Sequence, residues 1–363
     1  MTDAAVQPAR PAPEKRPTLA AVTALAGVSV STASLAFSGS GPVSAAARDR
    51  VLAAAEQLDY AGPDPRARSL RQGRSGIIAA VLEETVLQAF RDPVKIAFLD
   101  GIAQEIAGSG WALLLIPGAG GQPSLGPTAL ESATMDAVVL LGCSPHIGES
   151  IAITRRRSIP IVALGSTPFD DVLSVTLDDR AATVTLARHL QQLGHRRVGV
   201  VALPLEDRRE RGWLTPEWET RATIATPMDR LAGAREVFPD VAVVVAGGSL
   251  VDEGLLAGRE LLAGPDCPTA VIAQSDLLAA GVILAAHELG LRVPEDVSVV
   301  GFDGIGLDNV IAQDLTTMVQ PAAEQGATAG RMVLDMLADG RPSAACFTSV
   351  FHLGDTTAPP AGR

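Results

Sequence analysis

The stretch Ala26-Gly27-Val28-Ser29-Val30-Ser31-Thr32 decides how the first part of the chain is read. Upstream of it, Leu19, Val22, Leu25 and Ala26 recur at spacings of three and four behind Thr18, which predicts a capped helix ended by Gly27. Downstream, Ser29 is placed to cap a second helix with Val30, Ala33, Ala36 and Phe37 on its apolar side. Ser44 is placed to cap a third, Ala45 to Leu58, with Val51, Leu52, Ala55 and Leu58 on one face. Two short helices around a glycine turn match a helix-turn-helix, whose second helix turns its N-terminal residues toward base edges in a major groove. On that reading Ser29, Val30, Ser31, Thr32 and Ser34 face the groove. A small helical bundle with a glycine C-cap has the same spacing, so the surroundings must decide between the two.

Charge supplies that context. The 363 residues carry a net charge of −12, which as an average disfavours a polyanionic partner. Residues 1–75, however, hold nine basic and six acidic side chains, net +3, so the remaining 288 carry −15. Arg66, Arg68, Arg71 and Arg74 lie within nine acid-free residues, directly after the helices. A basic connector there can meet phosphates. Residues 1–17, with Pro8, Pro11, Pro13 and Pro17, read as a disordered tail, residues 18–62 as the helical domain and 63–75 as the connector.

From Gly76 onward the texture changes. Apolar runs such as Ile77–Leu82, Ala137–Leu141, Val198–Ala202, Ala270–Ala273 and Val297–Val300 alternate with helical stretches, the pattern of parallel strands covered on both faces. So many strands exceed one comfortable open sheet, and residues 76–363 are expected to form two doubly wound α/β lobes. Lobe 1 would take about 76–180 and 321–345, and lobe 2 about 181–320 with the C-terminal end. Asp178, Asp276, Asp303 and Gln320 fall near the ends of strand-like runs, where such sheets bind ligands. With 47% hydrophobic residues the chain is not a wholly disordered one.

No GxxxxGK[ST] phosphate loop and no GxSxG elbow occurs, and His146, His189, His195, His287 and His352 are scattered, so no enzyme or cofactor chemistry is indicated. Cys143, Cys267 and Cys346 lie far apart without metal-ligand spacing and read as reduced thiols of a cytoplasmic protein. One alternative is an exported solute-binding protein: Lys15 and Arg16 precede an Ala-rich run from Leu19 to Phe37 that imitates a signal peptide. Thr23, Gly27, Ser29, Ser31, Thr32 and Ser34 interrupt that run, and nothing else has the length of a membrane span.

Leu25 to Ser34, then Arg50-Val51-Leu52-Ala53-Ala54-Ala55-Glu56-Gln57-Leu58 with Tyr60, then Arg66-Ala67-Arg68-Ser69-Leu70-Arg71-Gln72-Gly73-Arg74-Ser75 resemble, in that order, the recognition helix, third helix and hinge of the LacI/GalR family of bacterial regulators. Asp229-Arg230-Leu231-Ala232-Gly233, Gln274-Ser275-Asp276 and Val299-Val300-Gly301-Phe302-Asp303 are similar to landmarks of its core, which looks like a type I periplasmic binding protein. The resemblance implies a homodimeric repressor on double-stranded operator DNA, with Arg66, Ala67, Arg68 and Leu70 in a hinge helix and Leu70 wedged into the minor groove. It further implies that Arg230 and Asp276, with Asp178 a weaker match, hydrogen-bond a small polar effector such as a sugar, and that Phe90 stacks on it. Many family members carry Arg directly after the Ser equivalent to Ser34, where this chain has Leu35, so its operator reading leans on hydroxyls, thymine methyls and DNA shape.

Overall fold

The structure, a computed structural model, describes residues 17–39, 41–63, 73–82, 86–118, 128–142, 146–165, 169, 171–206, 208–264 and 266–361. Residues 1–16 of the tail, Arg66, Ala67, Arg68, Leu70 and Cys143 lie outside them. The chain divides into two compact units, Met1–Ser75 and Gly76–Arg363.

In the first unit, α1 (Leu19–Ala26), α2 (Val30–Ser38) and α3 (Ala45–Gln57) are each started by a hydroxyl: Thr18, Ser29 and Ser44 accept from the backbone N–H of Ala21, Thr32 and Ala47. Gly27 ends α1 in the left-handed region, φ 63°, where a side chain costs about 1–2 kcal/mol. The chain bends 104° between α1 and α2, and the Arg50 Nε–H caps the Ala26 carbonyl at 3.3 Å. Val22, Ala33 and Val51 are fully buried where the three helices meet, with Phe37 edge-on to Tyr60 at 5.7 Å. The apolar faces read from spacing are narrower than expected: Leu25, Val30 and Leu52 stand exposed, because alanines allow the helices to meet closely and leave no depth for them.

In the second unit, lobe 1 runs through β1 (Ile77–Leu82), α4 (Val86–Ala89), α5 (Pro93–Ile106), β2 (Ala112–Pro117), α6 (Ala129–Ser132), β3 (Ala137–Leu141), α7 (Ile147–Arg156), β4 (Ile161–Leu164) and β5 (Leu173–Leu177). Lobe 2 follows with α8 (Asp179–Gln192), β6 (Val198–Ala202), β7 (Gly212–Trp213), α9 (Pro216–Glu219), α10 (Ala225–Val237), β8 (Ala242–Val245), α11 (Val251–Leu262), β9 (Ala270–Ala273), α12 (Asp276–Glu288), β10 (Ser298–Asp303) and β11 (Thr316–Val319). The chain returns to lobe 1 for α13 (Ala322–Leu337) and β12 (Ala345–Phe347), and pairs its last strand, β13 (Val350–His352), in lobe 2.

The lobe 1 sheet has the order β12-β5-β4-β3-β1-β2, all parallel. The lobe 2 sheet, β13-β11-β10-β9-β6-β8-β7, is parallel within but closed at both edges by antiparallel pairs, β13 with β11 and β7 with β8. Residues of β1 explain the uninterrupted apolar runs: Ile78, Ala80 and Leu82 enter the core on one sheet face, Ala79 and Val81 the core on the other. Helix α8 buries Ala182, Leu186 and Leu190 in lobe 2. The lobes therefore exchange the chain at 177–179, 319–322 and 347–350.

Helices α5 and α13 pack closely enough that a Cβ at Gly326 would overlap the Phe98 carbonyl. One turn further, a Cβ at Gly330 would lie 3.2 Å from the Glu105 Cβ. Gly326→Ala should therefore lower unfolding free energy by about 3 kcal/mol or more, since a packed backbone must move. Gly330→Ala should stay within about 1 kcal/mol of the parent, its better helix propensity offsetting a slight crowding. Urea denaturation of the two variants checks the contrast.

The C-terminal segment is strapped to lobe 2. The His195 Nε2–H donates to the Ala358 carbonyl and Nδ1 faces the Thr269 hydroxyl, both at 2.9 Å, while His189 Nε2 is 3.0 Å from Thr357 Oγ1. Burial pushes both imidazoles below the usual histidine range. Their contribution is then whole above about pH 6.5 and is lost as pH falls through the lowered folded values. As pH falls below about 6.5 the protection factors of the Thr356–Ala358 amides, referred to intrinsic exchange at each pH, should fall in the parent, and His195→Gln should flatten that dependence.

Candidate functional site

On α2, Ser29, Val30 and Ser31 are exposed, while Thr32, Ser34 and Leu35 are half-buried around Ala33 and Ala36, which the core takes. Ser29 Oγ accepts from the Thr32 N–H at 3.1 Å and lies 2.8 Å from Thr32 Oγ1 and 3.1 Å from Ser31 Oγ. Its hydroxyl thus holds the helix start, leaving Val30 and Ser31 as the outermost side chains of the first turn. Helix α2 carries no charged residue.

The second unit encloses a cavity of about 220 Å³ between its lobes. Lobe 1 contributes Asp92, Lys95 and Phe98 from the start of α5; lobe 2 contributes Asp179, Arg230, Ser275 and Asp303; Gln320 enters from a crossing. Each follows from the topology, because parallel strands followed by helices point strand carboxyl ends and helix amino ends to one side. Asp92 is the N-cap of α5, Asp179 opens α8, Ser275 caps α12 and Asp303 ends β10.

Arg230 organises the lobe 2 wall. It is 5% exposed, with Nε 2.7 Å from Asp179 Oδ1 and Nη1 3.6 Å from Asp303 Oδ1, and it donates to the Gln274 carbonyl. Its guanidinium carbon stands 3.5 Å over the Phe302 ring. Gln274 in turn donates to the Pro227 carbonyl and accepts from the Leu203 N–H, fixing β9 to the ends of β6 and α10. Asp303 is held at φ +129° and accepts from the Gln320 Nε2–H at 2.7 Å. Burial pushes its carboxyl well above the usual range; Arg230 opposes this, and the nearby Asp276 and Asp92 reinforce it.

Of the ligand residues expected from sequence, Arg230, Asp303 and Gln320 meet at the cavity, whereas Asp178, Asp276 and Phe90 do not line it. Asp276 is fully buried, and its carboxylate accepts from the Gly304 N–H (2.6 Å), the Ile305 N–H (2.9 Å) and the Thr317 hydroxyl (2.6 Å). Asp178 caps α8 by accepting from the Ala181 N–H. In both cases the adjacent residue, Ser275 or Asp179, lines the wall instead. Phe90 is 54% exposed, and Phe98 is the aromatic on the cavity. Asp92, Lys95, Asp179, Glu206, Arg209 and Ser275 escaped the sequence reading; a search for helix-start positions after apolar runs would have found Asp92, Asp179 and Ser275.

Residues 18–62 match the model of bacterial regulatory proteins of the lacI family, and residues 187–352 that of a periplasmic binding protein-like domain. The chain is 33% identical to the HTH-type transcriptional regulator Rv3575c of Mycobacterium tuberculosis, over 97% of its own length and 99% of that protein. It is 32% identical to the HTH-type transcriptional regulator IpsA of Corynebacterium glutamicum, over 94% and 98%. The chain belongs to the lacI family. A solved relative, the transcriptional regulator CelR in complex with cellobiose, superposes with a TM-score of 0.67 at 26% identity, over 94% of this chain and all of that one. In this lacI-family regulator the apolar run that imitates an export leader is the capped α1–turn–α2 pair, and among the described residues no single helix is long and apolar enough to cross a membrane.

The Asp303 shift gives a signed expectation. A carboxyl raised by burial contributes stability that is complete below its unfolded pKa, about 3.9, and is lost as pH rises through the folded value. Asp303→Asn cannot ionise, so its melting midpoint should gain on the parent's as pH rises from about 4 to about 8. Melting curves across that range check the sign.

Proposed function

We propose that this regulator is a repressor, acting in the cytoplasm as a homodimer on a two-fold-symmetric operator, whose affinity for DNA changes when a small polar effector fills the interlobe cavity. The observation carrying the proposal is the cavity itself: its polar walls come from both lobes, and two of the three interlobe crossings line it, through Leu177 and Asp179 and through Gln320. A ligand touching both walls favours one lobe arrangement, and linkage transmits that preference to DNA affinity. A sugar-sized effector is in keeping with the cellobiose held by CelR. The effector is bound and released unchanged.

Arg230, Asp303, Gln320, Asp179 and Ser275 are proposed to hold it. On DNA, Ser29, Val30, Ser31, Thr32, Ser34 and Leu35 face the major groove. Arg66, Ala67, Arg68 and Leu70 follow the minor groove, where an apolar wedge unstacks a base step while arginines meet phosphates. With no charge on α2, discrimination rests on Val30 against thymine methyls, on hydroxyl contacts and on DNA deformability.

Fluorescence anisotropy with the duplex upstream of the protein's own gene, titrated over a range of salt, tests this. Arg68→Ala should weaken binding and reduce the salt slope by about 1 for the lost phosphate contact. Leu70→Ala should weaken binding with the slope unchanged. Full affinity in an Arg68→Ala, Leu70→Ala double variant would refute the hinge assignment.

A further inference from the structure

We propose that Gln325 reads the effector: a hydroxyl or N–H of the ligand donates to its amide oxygen, which makes Gln325 a specificity-determining residue on the lobe 1 wall. The inference rests on the interlobe cavity being the effector site and adds the contact by which lobe 1 recognises what fills it.

Helix α13 starts where the chain re-enters lobe 1 and lays one face on α5. Ala322, Gln325, Ala329 and Met332 recur along it at spacings of three and four, the pattern of a buried apolar face, and Gln325 is the one polar residue among those the helix buries. Packing alone would be served there by Leu or Met. The residue is 1% exposed, and its place is fixed: its N–H donates to the Pro321 carbonyl at 2.9 Å, and Gly326 beside it is pressed against the Phe98 carbonyl. The helix therefore cannot roll to carry the amide into solvent.

Burying an amide is offset only by hydrogen bonds, and the Gln325 Oε1 has no partner in the protein. Among the described residues Trp218 Nε1 and Ser349 Oγ share that condition, but neither of those residues lines the cavity, whereas Gln325 does. The contrast with Gln320 sharpens the point. Five residues earlier, on the crossing itself, Gln320 donates to Asp303 from both its side chain and its backbone. Two glutamines thus reach one cavity, and the protein satisfies one of them.

The rest of the wall indicates which kind of group completes Gln325. Among the described residues it carries four carboxylates, on Asp92, Asp179, Glu206 and Asp303, against three cations, of which Arg230 is bound to Asp179. Acceptors in excess suit a ligand that donates. The last torsion of glutamine is soft and two-fold, so the amide oxygen turns to the cavity at little cost when a donor enters. A ligand held by Gln325 on one side and by the lobe 2 carboxylates on the other joins the two lobes.

The test begins without ligand, on the full chain. Gln325→Met and Gln325→Leu keep the volume and remove the amide, so the melting midpoint should rise by about 2 °C or more in at least one of them. Midpoints that stay level or fall in both overturn the proposal, because the amide is then satisfied inside the protein. Calorimetry with ribose, glucose and cellobiose at up to millimolar concentration reads recognition. The probe that the parent binds most tightly should lose about tenfold in affinity on Gln325→Met, while Gln325→Glu, which keeps an acceptor at the same reach, should stay within about threefold of the parent. Equal affinity in the parent and Gln325→Met overturns the proposal and leaves a polar effector in the cavity. A loss in Gln325→Glu as deep as in Gln325→Met overturns the acceptor role. Silence of all three probes on the parent removes a sugar-sized ligand from the cavity and refutes both readings.

Discussion

Arg230 is a cation removed from water, and a buried charge is tolerated only where partners replace its hydration. Its four partners come from three places in the sequence: Asp179 opening α8, the carbonyl of Gln274 after β9, and the consecutive Phe302 and Asp303 at the end of β10. None of them is local to α10, so the guanidinium is satisfied only when lobe 2 is fully assembled. The same requirement makes the wall rigid. Losing Asp179, 2.7 Å from the guanidinium, would leave this buried charge poorly compensated rather than cause a modest defect.

That dependence explains which residues could be read from sequence. Arg230 and Asp303 sit in distinctive runs, Asp229-Arg230-Leu231-Ala232-Gly233 and Gly301-Phe302-Asp303, and Gln320 follows a strand-like stretch. The adjacent polar pairs were harder. In Asp178-Asp179 and Ser275-Asp276 one member turns away from the cavity and its neighbour lines it, and composition is blind to a rotation of one residue about a helix start. Asp276 has the chemistry of a ligand residue, yet the Gly304 and Ile305 amides at the end of β10 capture its carboxylate. That capture needs a loop distant in sequence, so no local pattern announces it.

The strands divide the same way. Ile77–Leu82, Ala137–Leu141 and Val198–Ala202 were legible because burial on both faces demands continuous apolar residues. Leu173–Leu177 and Thr316–Val319 were legible only as strand-like runs ahead of Asp178 and Gln320, because Ser174, Thr176, Thr316 and Thr317 break the apolar run. Those hydroxyls have partners in the fold: the Thr317 hydroxyl donates to Asp276, and Thr316 Oγ1 accepts from the Gly354 N–H. The short β7, β12 and β13 lie at sheet edges, where pairing depends on what the chain returns to rather than on its own propensity.

The cavity wall and the interlobe crossing share atoms. Gln320 lies between β11 and α13, on one of the three strands of chain joining the lobes, and its side chain and backbone N–H both donate to Asp303, at 2.7 and 3.1 Å. Next to it, Thr317 and the Asp276 carboxylate tie β11 to α12 and to the turn after Asp303. A polar ligand of the proposed kind that competes for Arg230 or Asp303 would redistribute hydrogen bonds that also set the path of the crossing. With Asp303 already strained at φ +129°, small changes in its partners bear directly on the backbone. On the proposed reading, sensing and lobe geometry are one equilibrium, and differential contacts at Asp303 would give a ligand its leverage over it.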